Sequence, residues 1–216
     1  MIRLFALFLM LVPLAAPAQG LPPLLDVGGN GLPALFDVAG VAADDTLNVR
    51  SGPGTDSPVI GELAPDRQGV EIVSTDASGN WGLMNLEERA GWVSLAYMAR
   101  QAGDWFASAS TVAGCFGTEP FWGLTVSPGS WSFDIFGEPR FVAEPSPFTG
   151  PGAAGFDRAA SAELSGDDGF AALVISPGIC SDGMSDQLYG LEARLITTLS
   201  GMGTQLWSGC CTVTSR

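Results

Sequence analysis

The chain has 216 residues and a formal net charge of −14, from nine basic and 23 acidic side chains, with no His and a pI near 4.1. Every basic residue is Arg. Without His or Lys there is no His general base, no Ser-His or Cys-His nucleophile pair, no Lys Schiff base, no phosphate-loop Lys and no His-ligated metal. The acidity disfavours partners held through phosphate, both nucleic acid and anionic membrane surfaces. Its simplest role is solubility, and attraction to a cationic partner is the other.

Residues 1–18 have the order of a secretory signal. Arg3 precedes the apolar run Leu4 to Val12, the run stops at Pro13, and Ala16-Pro17-Ala18 supplies small residues for cleavage after Ala18. Nine apolar residues fall short of the roughly 20 that cross a bilayer. A periplasmic or secreted protein with no membrane anchor after cleavage is expected. Residues 19–36 are rich in Pro, Gly and Leu without a hydrophobic period, and read as a linker or a loosely docked arm.

Residues 37–100 hold five short β-type runs: Leu47–Arg50, Val59–Leu63, Gly69–Val73, Trp81–Leu86 and Ala90–Val93. Turn clusters such as Ser51-Gly52-Pro53-Gly54 and Ala77-Ser78-Gly79-Asn80 separate them. So small a set of strands hides its apolar face best by closing into a barrel. Gly52 and Gly54 are expected at positive-φ positions around Pro53. Trp92 is expected in the barrel core. Arg50 is expected to bond nearby turn carbonyls, because a guanidinium is not buried unpaired. Trp81 with Asn80 sits near a rim, and Tyr97 lies near the barrel edge. Trp81, Tyr97, Arg50 and Asn80 are therefore the candidate ligand-binding residues.

The run Leu47-Asn48-Val49-Arg50-Ser51-Gly52-Pro53-Gly54, followed by Val59-Ile60-Gly61, Gly91-Trp92-Val93 and Tyr97, resembles the bacterial SH3 (SH3b) family. That resemblance implies a non-catalytic binding domain of envelope proteins, with peptidoglycan peptide or a protein partner as its ligand.

Residues 101–113 form a connector, in which Trp105-Phe106 is expected to pack on a neighbour. Residues 114–216 carry a second β series: Phe121–Val126, Trp131–Phe136, Arg140–Glu144, Ser161–Leu164, Phe170–Ile175, Leu191–Leu199 and Gln205–Val213. An antiparallel barrel or sandwich of six to eight strands is expected, making the whole chain all-β. Its four cysteines, Cys115, Cys180, Cys210 and Cys211, read as disulfides in an exported chain. Adjacent strand residues face opposite ways, so Cys210 and Cys211 should take different partners. Cys180–Cys210 with Cys115–Cys211 is favoured over the swapped pairing. A Cys₄ metal site and a catalytic Cys are the weaker readings.

The phrases Cys115 to Trp122 (CFGTEPFW), Cys180 to Asp186 (CSDGMSD) with Tyr189, and Gly209-Cys210-Cys211 resemble an uncharacterised domain of bacterial envelope proteins. That resemblance implies architecture and location but no chemistry. Glu119, Asp182 and Asp186 invite glycoside hydrolysis or Ca²⁺ binding, yet capping of turns by the two Asp residues explains them more simply. Phe121 and Trp122 face opposite ways on a strand, leaving one of them for the surface.

Neither a metal, a cofactor nor a catalytic residue is called for. The expected function is an exported, non-catalytic binding protein. An inhibitor or chaperone-like partner of an exported cationic hydrolase is the second reading, and a carboxylate-dependent cell-wall hydrolase the third.

Overall fold

The computed structural model describes residues 31–103, 105, 111–151, 156–164 and 169–213. The signal segment, most of the expected linker and Phe106 lie outside them. Two all-β units follow one another along the chain.

The first is a small barrel of eight short strands: β1 (Ala34–Val38), β2 (Leu47–Arg50), β3 (Val59–Leu63), β4 (Val70–Ile72), β5 (Ser74–Thr75), β6 (Trp81–Leu86), β7 (Arg89–Ser94) and β8 (Met98–Arg100). A 3-10 turn over Leu95–Tyr97 joins the last two. The strands form two sheets, β4-β1-β8 and β3-β2-β7-β6-β5. Alternate side chains fill the space between them, with Phe36, Leu47, Val49, Ile72, Met84 and Val93 in one core. The linker expected over residues 19–36 ends early. β1 starts at Ala34 and pairs antiparallel with both β4 and β8. Its sequence, Ala-Leu-Phe-Asp-Val, is apolar at four of five positions, so no alternation marks it as a strand.

The second unit is a nearly closed antiparallel barrel of β9 (Gly114–Thr118), β10 (Phe121–Ser127), β11 (Ser130–Ile135), β12 (Glu138–Ala143), β13 (Arg158–Leu164), β14 (Gly169–Cys180), β15 (Tyr189–Leu199) and β16 (Gly203–Thr212). Sheet order is β12-β11-β10-β9-β16-β15-β14-β13. Past β12 the chain bends across to the far edge. There Ser146 donates to the Ser161 carbonyl, and Thr149 and Ala159 exchange both backbone bonds. The two edge strands are thereby tied, which removes the exposed edges an open sheet would leave. Inward positions carry Trp122, Leu124, Trp131, Phe133, Leu173, Ile175, Leu191, Leu195 and Trp207. Trp207 donates its indole N–H to Thr197 Oγ1 at 2.8 Å, so the one buried hydroxyl on that stretch of β15 has a partner.

The disulfides are Cys115–Cys211 and Cys180–Cys210, the favoured pairing. Cys115 and Cys211 sit directly opposite each other on β9 and β16 and point into the core. Cys210, one residue earlier, points outward and holds Cys180 at the end of β14. Gly209 before them lies so close to the Phe116 carbonyl that no Cβ fits.

The two barrels are docked. Trp105, expected to pack on a neighbour, is buried in the second core and donates its indole N–H to the Leu32 carbonyl ahead of β1. Leu35 of β1 packs against the same core. The loop from Cys180 to Tyr189 grips the β6–β7 hairpin by main chain: Asp186 donates to the Glu88 carbonyl at 3.0 Å, and Ala90 donates to the Asp186 carbonyl at 2.9 Å. Asn85 exchanges both of its side-chain amide bonds with the backbone of Leu188, at 2.9 and 3.0 Å. Glu71 of β4 accepts from the Thr212 hydroxyl and from the Val213 N–H. Val73, Leu83 and Tyr189 are nearly fully buried but belong to neither barrel core, as a sealed junction requires.

Two outcomes follow from this arrangement. Cys180 is half-buried whereas Cys115 and Cys211 are fully buried, so limited reduction with mass-detected alkylation should label the Cys180–Cys210 pair first. Asn85→Ala removes two bonds and strands the Leu188 groups, which should cost about 1–3 kcal/mol in denaturant unfolding.

Candidate functional site

The four residues singled out from sequence lie on or beside one sheet of the first barrel. Arg50 pairs with Trp92, and Trp92 pairs with Leu83, forming a row across β2, β7 and β6. Trp81 pairs with Ser94 in the next row. Directly paired residues share a face, and Trp81 is thus a diagonal neighbour of Trp92 on the same side. Val93 and Met84, which alternate with these residues, point into the core. The row therefore lies on the outer face, with its Leu83 end covered in the junction and Trp92 and Arg50 further out.

Trp92 corrects its expectation. It stands half-buried on the outer face and outside the core cluster, because Val93 takes the inward position of β7. Gly52 is corrected too: Gly54 alone of the two has positive φ, at +145°. What keeps Gly52 small is the Ser57 hydroxyl, which a Cβ would meet at 3.0 Å.

Arg50 behaves as expected of a half-buried guanidinium. Its Nη1 donates to the Ser57 carbonyl at 2.8 Å, which braces the turn between β2 and β3. Its backbone pairs with Trp92 in the cross-strand row. Asn80 is exposed, and its carbonyl accepts from the Leu95 N–H at 2.9 Å, which ties the turn before β6 to the 3-10 turn carrying Tyr97. Tyr97 is 45% exposed. Arg50, Trp81 and Trp92 thus form a shelf of two indoles and one cation, with Asn80 and Tyr97 at the end where β6 starts and β7 finishes.

Asp76 was not singled out from sequence, yet it builds that end. Its Oδ1 accepts from the Asn80 and Trp81 backbone N–H groups at 3.0 and 2.9 Å. Its Oδ2 accepts from the Ser78 hydroxyl at 2.6 Å and the Ser78 N–H at 3.1 Å. Partial burial by itself would raise the Asp76 pKa. The Ser78 hydroxyl and the three backbone donors outweigh it and hold the carboxyl below its ordinary value. An Asp two to five residues ahead of its donors is a turn signature, and Asp76-Ala77-Ser78-Gly79-Asn80 carries it.

In the second barrel, Asp182 caps its turn as expected, whereas the bonds shown for Asp186 are made by its backbone. Asp182 accepts from the Met184 and Ser185 N–H groups and from the Ser185 hydroxyl. Asp186 contributes its backbone to the barrel junction. No group of three or more Cys, Asp or Glu side chains among the described residues is placed to hold a metal ion. Of the Phe121–Trp122 pair, Trp122 is the buried one, with its indole N–H on the Ser208 carbonyl, and Phe121 is exposed.

Because Asp76 is hydrogen-bonded as a carboxylate in the fold, its contribution is present above the ordinary Asp pKa. It is lost as pH falls through the lowered folded value. Asp76→Ala should lower the melting temperature at neutral pH by about 2–4 °C. The gap to wild type should close in melts recorded at progressively more acidic pH.

No curated protein and no solved structure matches the chain. No helix among the described residues is long and apolar enough to cross a membrane. Residues 45–99, from just before β2 into β8 and about a quarter of the chain, match the family model described as a bacterial SH3 domain.

Proposed function

We propose that the protein is exported and non-catalytic, and that the outer face of its SH3 barrel binds a peptide of the cell wall or of a protein partner. The observation that carries this is the shelf of Arg50, Trp92 and Trp81, bordered by Asn80 and Tyr97. Two flat indoles offer apolar contact at small entropic cost, and the guanidinium beside them supplies a donor for a peptide carbonyl or carboxylate. The family match of residues 45–99 supports a binding module.

Export is supported by two disulfides, which persist in oxidising compartments, and by the signal-like order of residues 1–18. The docked second barrel supports the same reading. It holds the β6–β7 hairpin from the end opposite Trp81, so the shelf is presented on a fixed scaffold.

Purified peptidoglycan should retain the mature protein in a sedimentation assay, and Trp81→Ala should reduce retention roughly tenfold, as loss of an aromatic anchor does. A wild-type protein left wholly in the supernatant overturns the cell-wall form of the proposal.

A further inference from the structure

The second barrel has a surface that neither the SH3 shelf nor the barrel junction uses. A groove of about 960 Å³ runs over the outer face of β9, β10 and β11, closed on one side by the loop holding Asp182 and Met184 and by Glu88 of the SH3 hairpin. Its floor is a cross-strand row in which Phe116, Gly123 and Asp134 are paired in turn. The Asp134 carboxylate lies over Gly123, in space that only a glycine leaves open to it. A Cβ there would meet Asp134 Oδ2 at 2.7 Å.

At the mouth stand Phe121, 46% exposed, and Phe136, 68% exposed, with ring centroids 6.2 Å apart. Phe136 is unusual in its backbone as well as its exposure. It opens the two-residue β11–β12 turn with φ +54°, ahead of Gly137 at +76°. Two successive positive φ values make the turn that hairpins prefer, but Asn, Asp or Gly normally occupies its first position. A bulky aromatic costs about 1 kcal/mol or more in that conformation. Here it gains little burial in return. Ordinary folding economy thus favours another residue at position 136, whereas a contact surface favours Phe.

The electrostatics have one sign. Glu88, Asp134 and Asp182 line the groove, no Arg does, and neither Glu88 nor Asp134 has a cationic partner among the described residues. Asp134 keeps its place through the Gly137 N–H at 3.1 Å and otherwise faces the groove. Two exposed aromatics at the mouth of a wholly acidic groove, on a chain of net charge −14, are complementary to an apolar and cationic guest.

We propose that this groove binds an extended protein segment in which Arg or Lys alternates with aliphatic or aromatic residues. The apolar side chains pack on Phe121 and Phe136, and the cations meet Asp134 and Glu88. The site is independent of the SH3 shelf, because Glu88 lies at the opposite end of the β6–β7 hairpin from Trp81.

Fluorescence anisotropy with a labelled decapeptide of alternating Arg and Leu, titrated with the mature protein, tests this. Decapeptides of alternating Arg and Ser and of alternating Glu and Leu are the comparisons. The Arg-Leu peptide should bind, and both comparisons should bind at least tenfold more weakly, a difference of about 1.4 kcal/mol. Phe136→Gly, which suits the positive φ and should leave the melting temperature unchanged or raised, should lose affinity roughly tenfold. So should Asp134→Asn, whose amide oxygen can still accept from Gly137. Leu206→Ser, equally exposed but outside the groove, should bind as wild type does. No binding of the Arg-Leu peptide overturns the proposal. So does equal binding of the Arg-Ser peptide, which would mean attraction by net charge alone, and so does an unchanged affinity in both groove variants.

Discussion

The arrangement rests on the fact that neighbouring residues of a strand face opposite ways. Cys210 and Cys211 are consecutive on β16, so one bond goes into the core and the other out of it. The inward bond to Cys115 joins β16 to β9 across the seam between the first and last strands of the second barrel. The outward bond to Cys180 fixes the point at which the chain leaves β14 for the loop that grips the SH3 hairpin. In the chain-entropy account, bridges spanning 96 and 30 residues each remove several kcal/mol of unfolded-state freedom. Their structural effect is more specific than that. One pair of adjacent residues sets the pairing of β9 with β16 and the position of the docking loop together.

From those fixed points the junction follows. Asp182 shapes the loop through its own turn, Thr118 donates to the Asp182 carbonyl, and the loop then reaches Glu88, Ala90 and Asn85. Trp105 and Leu35 seal the other side by entering the second core from the first barrel's flank. The SH3 shelf and the acidic groove consequently stand at fixed positions on one body, at opposite ends of the same hairpin.

Much of this was legible in the residues. Leu47–Arg50, Val59–Leu63 and Trp81–Leu86 are strands with the bounds their alternation gives, and Trp131, Phe133 and Ile135 fill the core as their period-two spacing requires. β1, β5, β8 and β9 were not legible, for physical reasons. β5 and β8 are too short to show a period, Gly114–Thr118 is too rich in glycine to show hydrophobic contrast, and β1 is apolar at four of five positions. Trp92 misled because size and hydrophobicity favour the core, whereas its neighbour Val93 fills the small inward position of a barrel this narrow. Asp76 and Phe136 escaped notice because a capping oxygen and a positive φ depend on the local path of the chain, and composition carries little of either.

The grip between the barrels is made largely of amides and carbonyls. Asp186 engages through its own N–H and C=O, and Leu188 offers only its backbone to Asn85. Such a joint places few demands on the side chains at those positions, so substitutions can accumulate around it while the geometry persists. Two chains with the same coupled pair of barrels can then differ at many of these positions while the path of the main chain through the joint stays the same.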